Sequence, residues 1–294
     1  MKLIHSYWSK PFFDQDRKRD FRFRHFGGFP EAFLFYAAWC YSCLSIAKYY
    51  PNLHLITDDR GLEIFRDILK LPYASFSSEM NEMDKYPKSM WALGKLHAYR
   101  SQEEPFCHVD GDVFFFGKVL DPILDAGILC QSFDYNELLY QVIHKDVHDN
   151  FDNVPKDFSA DLSEEIRLIN AGVIGGHDLD FYQYYCSKAF QLIDSNLDKI
   201  DQEKSRVNLN LYCEQFLFSN LIKKQKREIQ YLFPEKLNSE YDLTQFHMAP
   251  EHSQYVHLAS TLKRFPKFLE QVVIRLRIEF PEYYERLTKN YALL

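Results

Sequence analysis

The chain is short of basic charge, of paired cysteines and of long apolar runs, and each shortage closes a class of function. Its 35 Lys and Arg stand against 42 Asp and Glu, a formal net charge of −7. With no basic excess to neutralise phosphates, no nucleic-acid partner is expected. A small anionic ligand stays open, because a local cation or metal can hold it. No apolar run reaches the about 20 residues that a transmembrane helix needs. The start, Met1-Lys2-Leu3-Ile4-His5, leads into polar residues and not into a leader's apolar run. The six cysteines (Cys40, Cys43, Cys107, Cys130, Cys186, Cys213) are scattered through apolar segments. Cys40 and Cys43 have the C-x-x-C spacing, but they lie in a helical pattern with no second pair. Reduced thiols in a cytoplasmic protein are therefore expected, not a zinc site. The chain has no internal repeat and no low-complexity segment.

What is present suits an α/β enzyme. Hydrophobic residues make up 46% and aromatics 17%, with 20 Tyr and 26 Phe, ample for the core of one domain of 294 residues. Residues 2–8 read as a strand, and a charged run from Asp14 to Arg24, mixed in sign, reads as a solvated or mobile loop. Residues 30–50 read as a helix with Pro30 near its start, 53–57 as a strand closed by Asp58-Asp59, and 60–70 as a helix. A further strand is expected within 71–78 and a helix over 88–100. This alternation predicts a mainly parallel mixed sheet flanked by helices, with ligands beyond the carboxyl ends of the strands. Asp58, Asp59, Asp110 and Asp112 then fall on one rim.

The sequence is organised around Phe106-Cys107-His108-Val109-Asp110-Gly111-Asp112-Val113-Phe114-Phe115-Phe116. Read as one buried strand, it points Asp110 and Asp112 to the same side. Two like charges so placed repel unless a cation lies between them or one is protonated. A loop with two solvated acids is the bland alternative.

Four later features add to the pair. A strand Gly127–Phe133 leads to a polar segment, 134–165, expected as an insertion or lid. Leu168–Gly176 is a short apolar strand interrupted by Asn170-Ala171-Gly172. Helices follow over 178–197 and 208–222, the second carrying Glu214-Gln215. Tyr255–Arg264 runs from strand into loop and holds His257 and Lys263, and a basic, aromatic helical tail closes the chain. Asp110, Asp112 and His257 offer oxygen and nitrogen ligands that suit Mn²⁺ or Mg²⁺, and an ion held by carboxylates leaves positions for water and a diphosphate.

The blocks HVDGDVFFF, LINAGVIGG, CEQFLFSNLI and VHLASTLKR, in that order, resemble the metal-dependent GT-A glycosyltransferases, especially the glycogenin-like and bacterial lipopolysaccharide galactosyltransferase group. The resemblance spans about residues 90–264 and implies a GT-A domain over 1–264, with 265–294 a helical tail packed on it. It makes Asp110 a contact to ribose and metal, Asp112 a metal ligand and His257 the third ligand. Lys263 would pair with the diphosphate, and Asp58 and Lys95 would bind the nucleotide-sugar donor. Asn170, Ala171 and Gly172 would line the donor sugar, with Glu214 and Gln215 near its reacting carbon as catalytic residues. The implied activity is transfer of a sugar from a nucleotide-diphosphate donor, UDP-linked, to a saccharide or lipid-linked glycan acceptor. The expected location is the cytoplasm, and the tail 265–294, which alternates Lys and Arg with Phe, Val, Ile and Tyr, reads first as a capping helix packed on the sheet and second as a peripheral membrane contact. Two departures stand out: Glu214 replaces an Asp, and Ala259-Ser260 stand where the family has a glycine near His257.

Two other readings use the same residues. A nucleotide-sugar-binding protein of this fold keeps the site without turnover. Haloacid-dehalogenase-like phosphotransferases also carry Asp-x-Asp at a strand end, but near the N-terminus and with a later paired-acid strand, whereas Asp58-Asp59 here comes first.

Overall fold

A computed structural model describes residues 1–13, 25–134, 137–160, 168–201, 208–235 and 237–294. The charged run from Asp14 to Arg24 lies outside the described residues, as do 135–136 and 161–167 of the polar segment. The first half forms β1 (Lys2–Tyr7), α1 (Ala32–Ala47), β2 (Leu53–Thr57), α2 (Asp59–Leu62), β3 (Ser75–Ser77), α3 (Ala92–Arg100), β4 (Phe106–Val109), β5 (Val113–Phe115) and β6 (Leu129–Asp134). The second half forms α4 (Glu137–Asn150), β7 (Leu168–Gly176), α5 (Leu179–Asp194), α6 (Leu197–Asp201), α7 (Leu209–Leu211), α8 (Leu217–Gln225), β8 (Gln230–Phe233), β9 (Tyr255–His257), α9 (Pro266–Glu279) and α10 (Pro281–Asn290). The main sheet has seven strands in the order β3-β2-β1-β4-β7-β6-β8, and β5 and β9 form a separate pair. The fold is mixed α/β, with a mostly parallel central sheet flanked by helices. Among the described residues no helix is long and apolar enough to cross a membrane.

The chain divides into two compact units. The first holds Lys2–Asn81, His108–Pro122 and Leu237–Leu294, and the second holds Met1, Glu82–Cys107 and Ile123–Lys236.

In the first unit β1, β2 and β3 are parallel, with Leu3 opposite Leu53 and Tyr7 opposite Thr57. Every residue of α1 from Phe35 to Ile46 is buried, Cys40 and Cys43 among them. A helix apolar all round needs cover on each side, and α9 and α10 supply part of it. Tyr41 donates to Glu279 Oε1 at 3.0 Å, and the Phe33 ring meets Tyr284 and Tyr291 edge-on. The tail thus packs on α1, not on the sheet as a cap. It is also two helices, because Pro281 has no N–H to continue α9 and suits the first turn of α10. α1 itself begins at Ala32, with Pro30 outside it.

In the second unit β6 runs antiparallel to β7 and parallel to β8. Phe106 stacks on Tyr99 and takes the edge of Tyr182 at 4.9 Å. Gly175 permits the approach of β7 to β4, since a Cβ there would lie 2.0 Å from the Phe106 carbonyl oxygen. All six cysteines are buried free thiols, and burial pushes the Cys40 thiol up to about 12.

Several expectations need correction. The Asp110/Asp112 stretch is not one strand: β4 ends at Val109, and β5 starts at Val113 in the other sheet. Only Ser75–Ser77 of the region 71–78 is strand. The helices expected over 60–70 and 208–222 each contain a π turn, Glu63–Ile68 and Tyr212–Phe216. A π turn adds a residue per turn, which a search for 3.6-residue periodicity passes over. The helix expected over 178–197 ends at Asp194. Part of the polar segment is the regular helix α4, and β8 was not expected at all.

Candidate active site

In the first unit, a turn and a strand pairing build an acidic cluster. Val113 N–H donates to the Asp110 carbonyl at 3.1 Å, closing a four-residue turn. Ser42 of α1 donates to the Val113 carbonyl at 2.7 Å and braces that turn. Trp39 of α1 packs over Gly111, where a Cβ would lie 2.5 Å from the indole ring. The turn, not strand alternation, brings Asp110 and Asp112 together. β5 then pairs antiparallel with β9, placing Val113 opposite His257, and Leu258 N–H donates to the Asp112 carbonyl at 3.0 Å. This register sets His257 Nε2 3.5 Å from Asp112 Oδ1. One ligand atom from each of Asp110, Asp112 and His257 lies within 4.8 Å of the others.

That donor set fits a divalent ion. Ligands at about 2.0–2.2 Å from one ion stand at most about 4.4 Å apart, so shifts of a few tenths of an ångström close the site. Two carboxylates and one imidazole, with no thiolate, suit Mn²⁺ or Mg²⁺ better than a thiolate-selected metal.

Lys263 reaches the same carboxylate. Its ammonium pairs with Asp112 Oδ2, donates to the Gly27 carbonyl at 3.0 Å and lies 5.5 Å from the centre of the Phe29 ring. Burial works against ionisation of Asp112, yet the charges of Lys263 and His257 outweigh it and hold the carboxyl well below the usual range. Lys263 lies in a 3-10 turn, Ser260–Arg264, whose first residue has φ 51°. Ser260 therefore keeps the left-handed backbone that a glycine would take there.

His108 is a neighbour to which sequence reasoning gave no role. Its Nδ1 lies 3.7 Å from Asp110 Oδ1 and its Nε2 2.8 Å from Ser6 Oγ. Its place two residues before Asp110 was the available signal. Asp58 caps α2: Oδ1 accepts from Gly61 N–H at 2.9 Å, and Oδ2 accepts from Ser9 N–H at 2.7 Å.

The second unit gathers the other candidates. Between Cys130 and Ser132 the β6–β7 ladder shifts register, so three residues of β7, Ala171 to Val173, face Gln131 alone. Asn170 Oδ1 accepts from Gly172 N–H at 3.0 Å, giving a partner to a backbone donor in that bulge. Lys95 Nζ donates to Glu214 Oε1 at 2.8 Å, so two residues expected in separate roles form one ion pair. Tyr185 donates to the Glu214 carbonyl, and Tyr140 of α4 donates to Gln215 Oε1. Glu214 and Gln215 both lie in the π turn, a distortion frequent at functional sites. Tyr140 lay in the segment expected as a lid, and nothing in its sequence context singled it out.

A family model described as "Family of unknown function (DUF6734)" matches residues 1–290. The chain belongs to this family. No curated protein matches the DUF6734 chain. Among solved structures it is similar to galactosyltransferase LgtC in complex with donor and acceptor sugar analogs, at 11% identity and TM-score 0.43, over 92% of this chain and 95% of that one. Apo mouse xyloside xylosyltransferase 1 is similar at 12% identity and TM-score 0.44, over 90% and 99%. The glycosyltransferase GlyE of Streptococcus pneumoniae TIGR4 is similar at 10% identity and TM-score 0.46, over 99% of this chain and 63% of that one.

Proposed function

We propose that the DUF6734 chain is a metal-dependent GT-A glycosyltransferase, moving a hexose from a UDP-sugar to a saccharide or lipid-linked glycan acceptor. The observation that carries this reading is the convergence of Asp110, Asp112 and His257 within 4.8 Å, with Lys263 on the same carboxylate. It gains support from four motif blocks in the order that such enzymes carry them. Asp110, Asp112 and His257 would hold Mn²⁺ or Mg²⁺, and Asp110 would also meet the ribose. When bound, the ion would act as a Lewis acid toward the departing diphosphate. Lys263 neutralises charge on the same diphosphate. Asp58 and Lys95 are assigned to the donor, and Asn170, Ala171 and Gly172 to its sugar. Glu214 and Gln215 are the candidates to meet positive character at the anomeric carbon. The proposed setting is polysaccharide biosynthesis in the cytoplasm, with 265–294 touching the inner membrane face where lipid-linked acceptors lie.

A non-catalytic sugar-nucleotide-binding protein is the second reading. The Lys95–Glu214 pair favours it, since it engages the carboxylate that transfer would use. One assay separates the readings: a nucleotide-sugar panel with Mn²⁺, scored for release of nucleoside diphosphate. Release of UDP that disappears in Asp112→Ala supports transfer. Tight UDP-sugar binding without release selects the binding protein, and phosphate release from monoesters selects the phosphotransferase reading.

A further inference from the structure

Asp112 is one buried carboxylate with two cationic claimants. Its Oδ2 is paired with Lys263, its Oδ1 lies 3.5 Å from His257 Nε2, and one of its oxygens belongs to the three-residue cluster. A buried carboxylate left without a counter-ion is strongly disfavoured. Lys263 meets that need here through its pair with Asp112, and a divalent ion would meet it equally. The two cannot do so together without repulsion, because both cations would share one small carboxylate.

The remaining holds on Lys263 are weak for a cation. They are the neutral Gly27 carbonyl at 3.0 Å and the face of Phe29 at 5.5 Å. Its stem runs beside Gly28, which has φ 95° and whose absent Cβ would stand 3.6 Å from Lys263 Cδ. The Gly27-Gly28 turn therefore accommodates the lysine without enclosing it in side chains. A side chain held mainly through one exchangeable ion pair is suited to change partner.

We infer that Lys263 is a tethered counter-ion that occupies Asp112 until a divalent cation displaces it, and that the freed ammonium then takes a nucleoside diphosphate. This rests on the metal-site reading above and adds a coupling to it. Metal alone must compete with the ammonium, whereas a diphosphate that accepts Lys263 removes the competitor. Each ligand then strengthens the other by the same factor.

Isothermal titration of the full chain with Mn²⁺ alone, with UDP alone and with each in the presence of the other tests this. Lys263→Met should bind Mn²⁺ alone on the order of tenfold tighter than the wild type. UDP should tighten Mn²⁺ binding by a similar factor in the wild type and hardly at all in Lys263→Met. Lys263→Arg, which keeps the charge, should retain the wild-type weakness for Mn²⁺ alone. Should Lys263→Met fold poorly, the rise in unfolding temperature on adding Mn²⁺ to Lys263→Gln serves instead, and it should exceed the wild-type rise. Unchanged or weaker Mn²⁺ binding on loss of Lys263 overturns the counter-ion role while leaving the metal site intact. A wild type and a Lys263→Met that both ignore Mn²⁺, with and without UDP, overturn the metal-site reading and this inference together.

Discussion

Lys95 Nζ lies 2.8 Å from Glu214 Oε1, and only 2% of the Glu214 side chain is exposed. Removing one partner of such a pair leaves a buried charge uncompensated, at a cost of about 3–5 kcal/mol. Lys95→Met should lower stability to urea by that order. Lys95→Met combined with Glu214→Leu should recover much of the loss, because two apolar groups need no partner. A double variant as unstable as Lys95→Met alone would show that the pair is not what holds this π turn.

Ser260 is a non-glycine residue at φ 51°. The left-handed region costs such a residue about 1–2 kcal/mol, part of which glycine returns through its freer unfolded chain. Ser260→Gly should therefore be neutral to about 1 kcal/mol stabilising, and Ser260→Val clearly destabilising, in thermal unfolding. Equal effects of both variants would remove the argument that the serine carries a glycine's conformation before Lys263.

His5 is fully buried on β1, and burial, only partly offset by the charge of Asp112, lowers its pKa to about 3. Trp39 Nε1 donates to the Tyr73 hydroxyl at 2.9 Å, and that hydroxyl lies 2.8 Å from His5 Nδ1. The imidazole stays neutral, its Nδ1 sharing a hydrogen bond with the Tyr73 hydroxyl and its Nε2 without a hydrogen-bond partner among the described residues. Above about pH 6.5 neither folded nor unfolded His5 binds a proton, so it adds no pH dependence. Below that the unfolded chain takes the proton first, and stability falls by up to about 1.4 kcal/mol per pH unit until about pH 3. Denaturant unfolding from pH 7 to pH 4 should show this slope, reduced in His5→Phe. An identical slope in that variant would assign the loss to other groups.

The parts of the fold legible in the sequence are those with one simple period. β2, at Leu53–Thr57, and β7, at Leu168–Gly176, stand where their apolar runs placed them, and α1 follows its run to within a few residues. The Asp110–Val113 turn was hidden because apolar residues flank it so closely that two strands in different sheets read as one. Residue types marked out Asp112, His257 and Lys263, but not how they meet. That meeting depends on the β5–β9 pairing, which joins residues 144 positions apart, Val113 with His257, and leaves no trace in local pattern. The Lys95–Glu214 pair was hidden for the same reason, being a contact between two helical segments far apart in sequence.

α9 turns two faces to different surroundings. Phe268, Leu269, Val272 and Leu276 are buried, whereas Ile274 and Ile278 are 48% and 72% exposed, with Lys267 and Arg277 also exposed on this helix. Arg275 is not part of that charge, since it pairs with Glu279 and donates to the Phe246 carbonyl at 3.0 Å. Apolar side chains beside two cations, with the exposed Glu270 set against them, suit the surface of an anionic membrane, each cation contributing about 1 kcal/mol near it. The intact chain should therefore float with anionic vesicles at low salt and not with neutral ones, and Ile278→Asp should abolish flotation without unfolding the protein. Deleting 265–294 is a different perturbation, because it uncovers α1, and it should lower the unfolding temperature. Failure of the intact chain to float with anionic vesicles would leave the tail as cover for α1 alone.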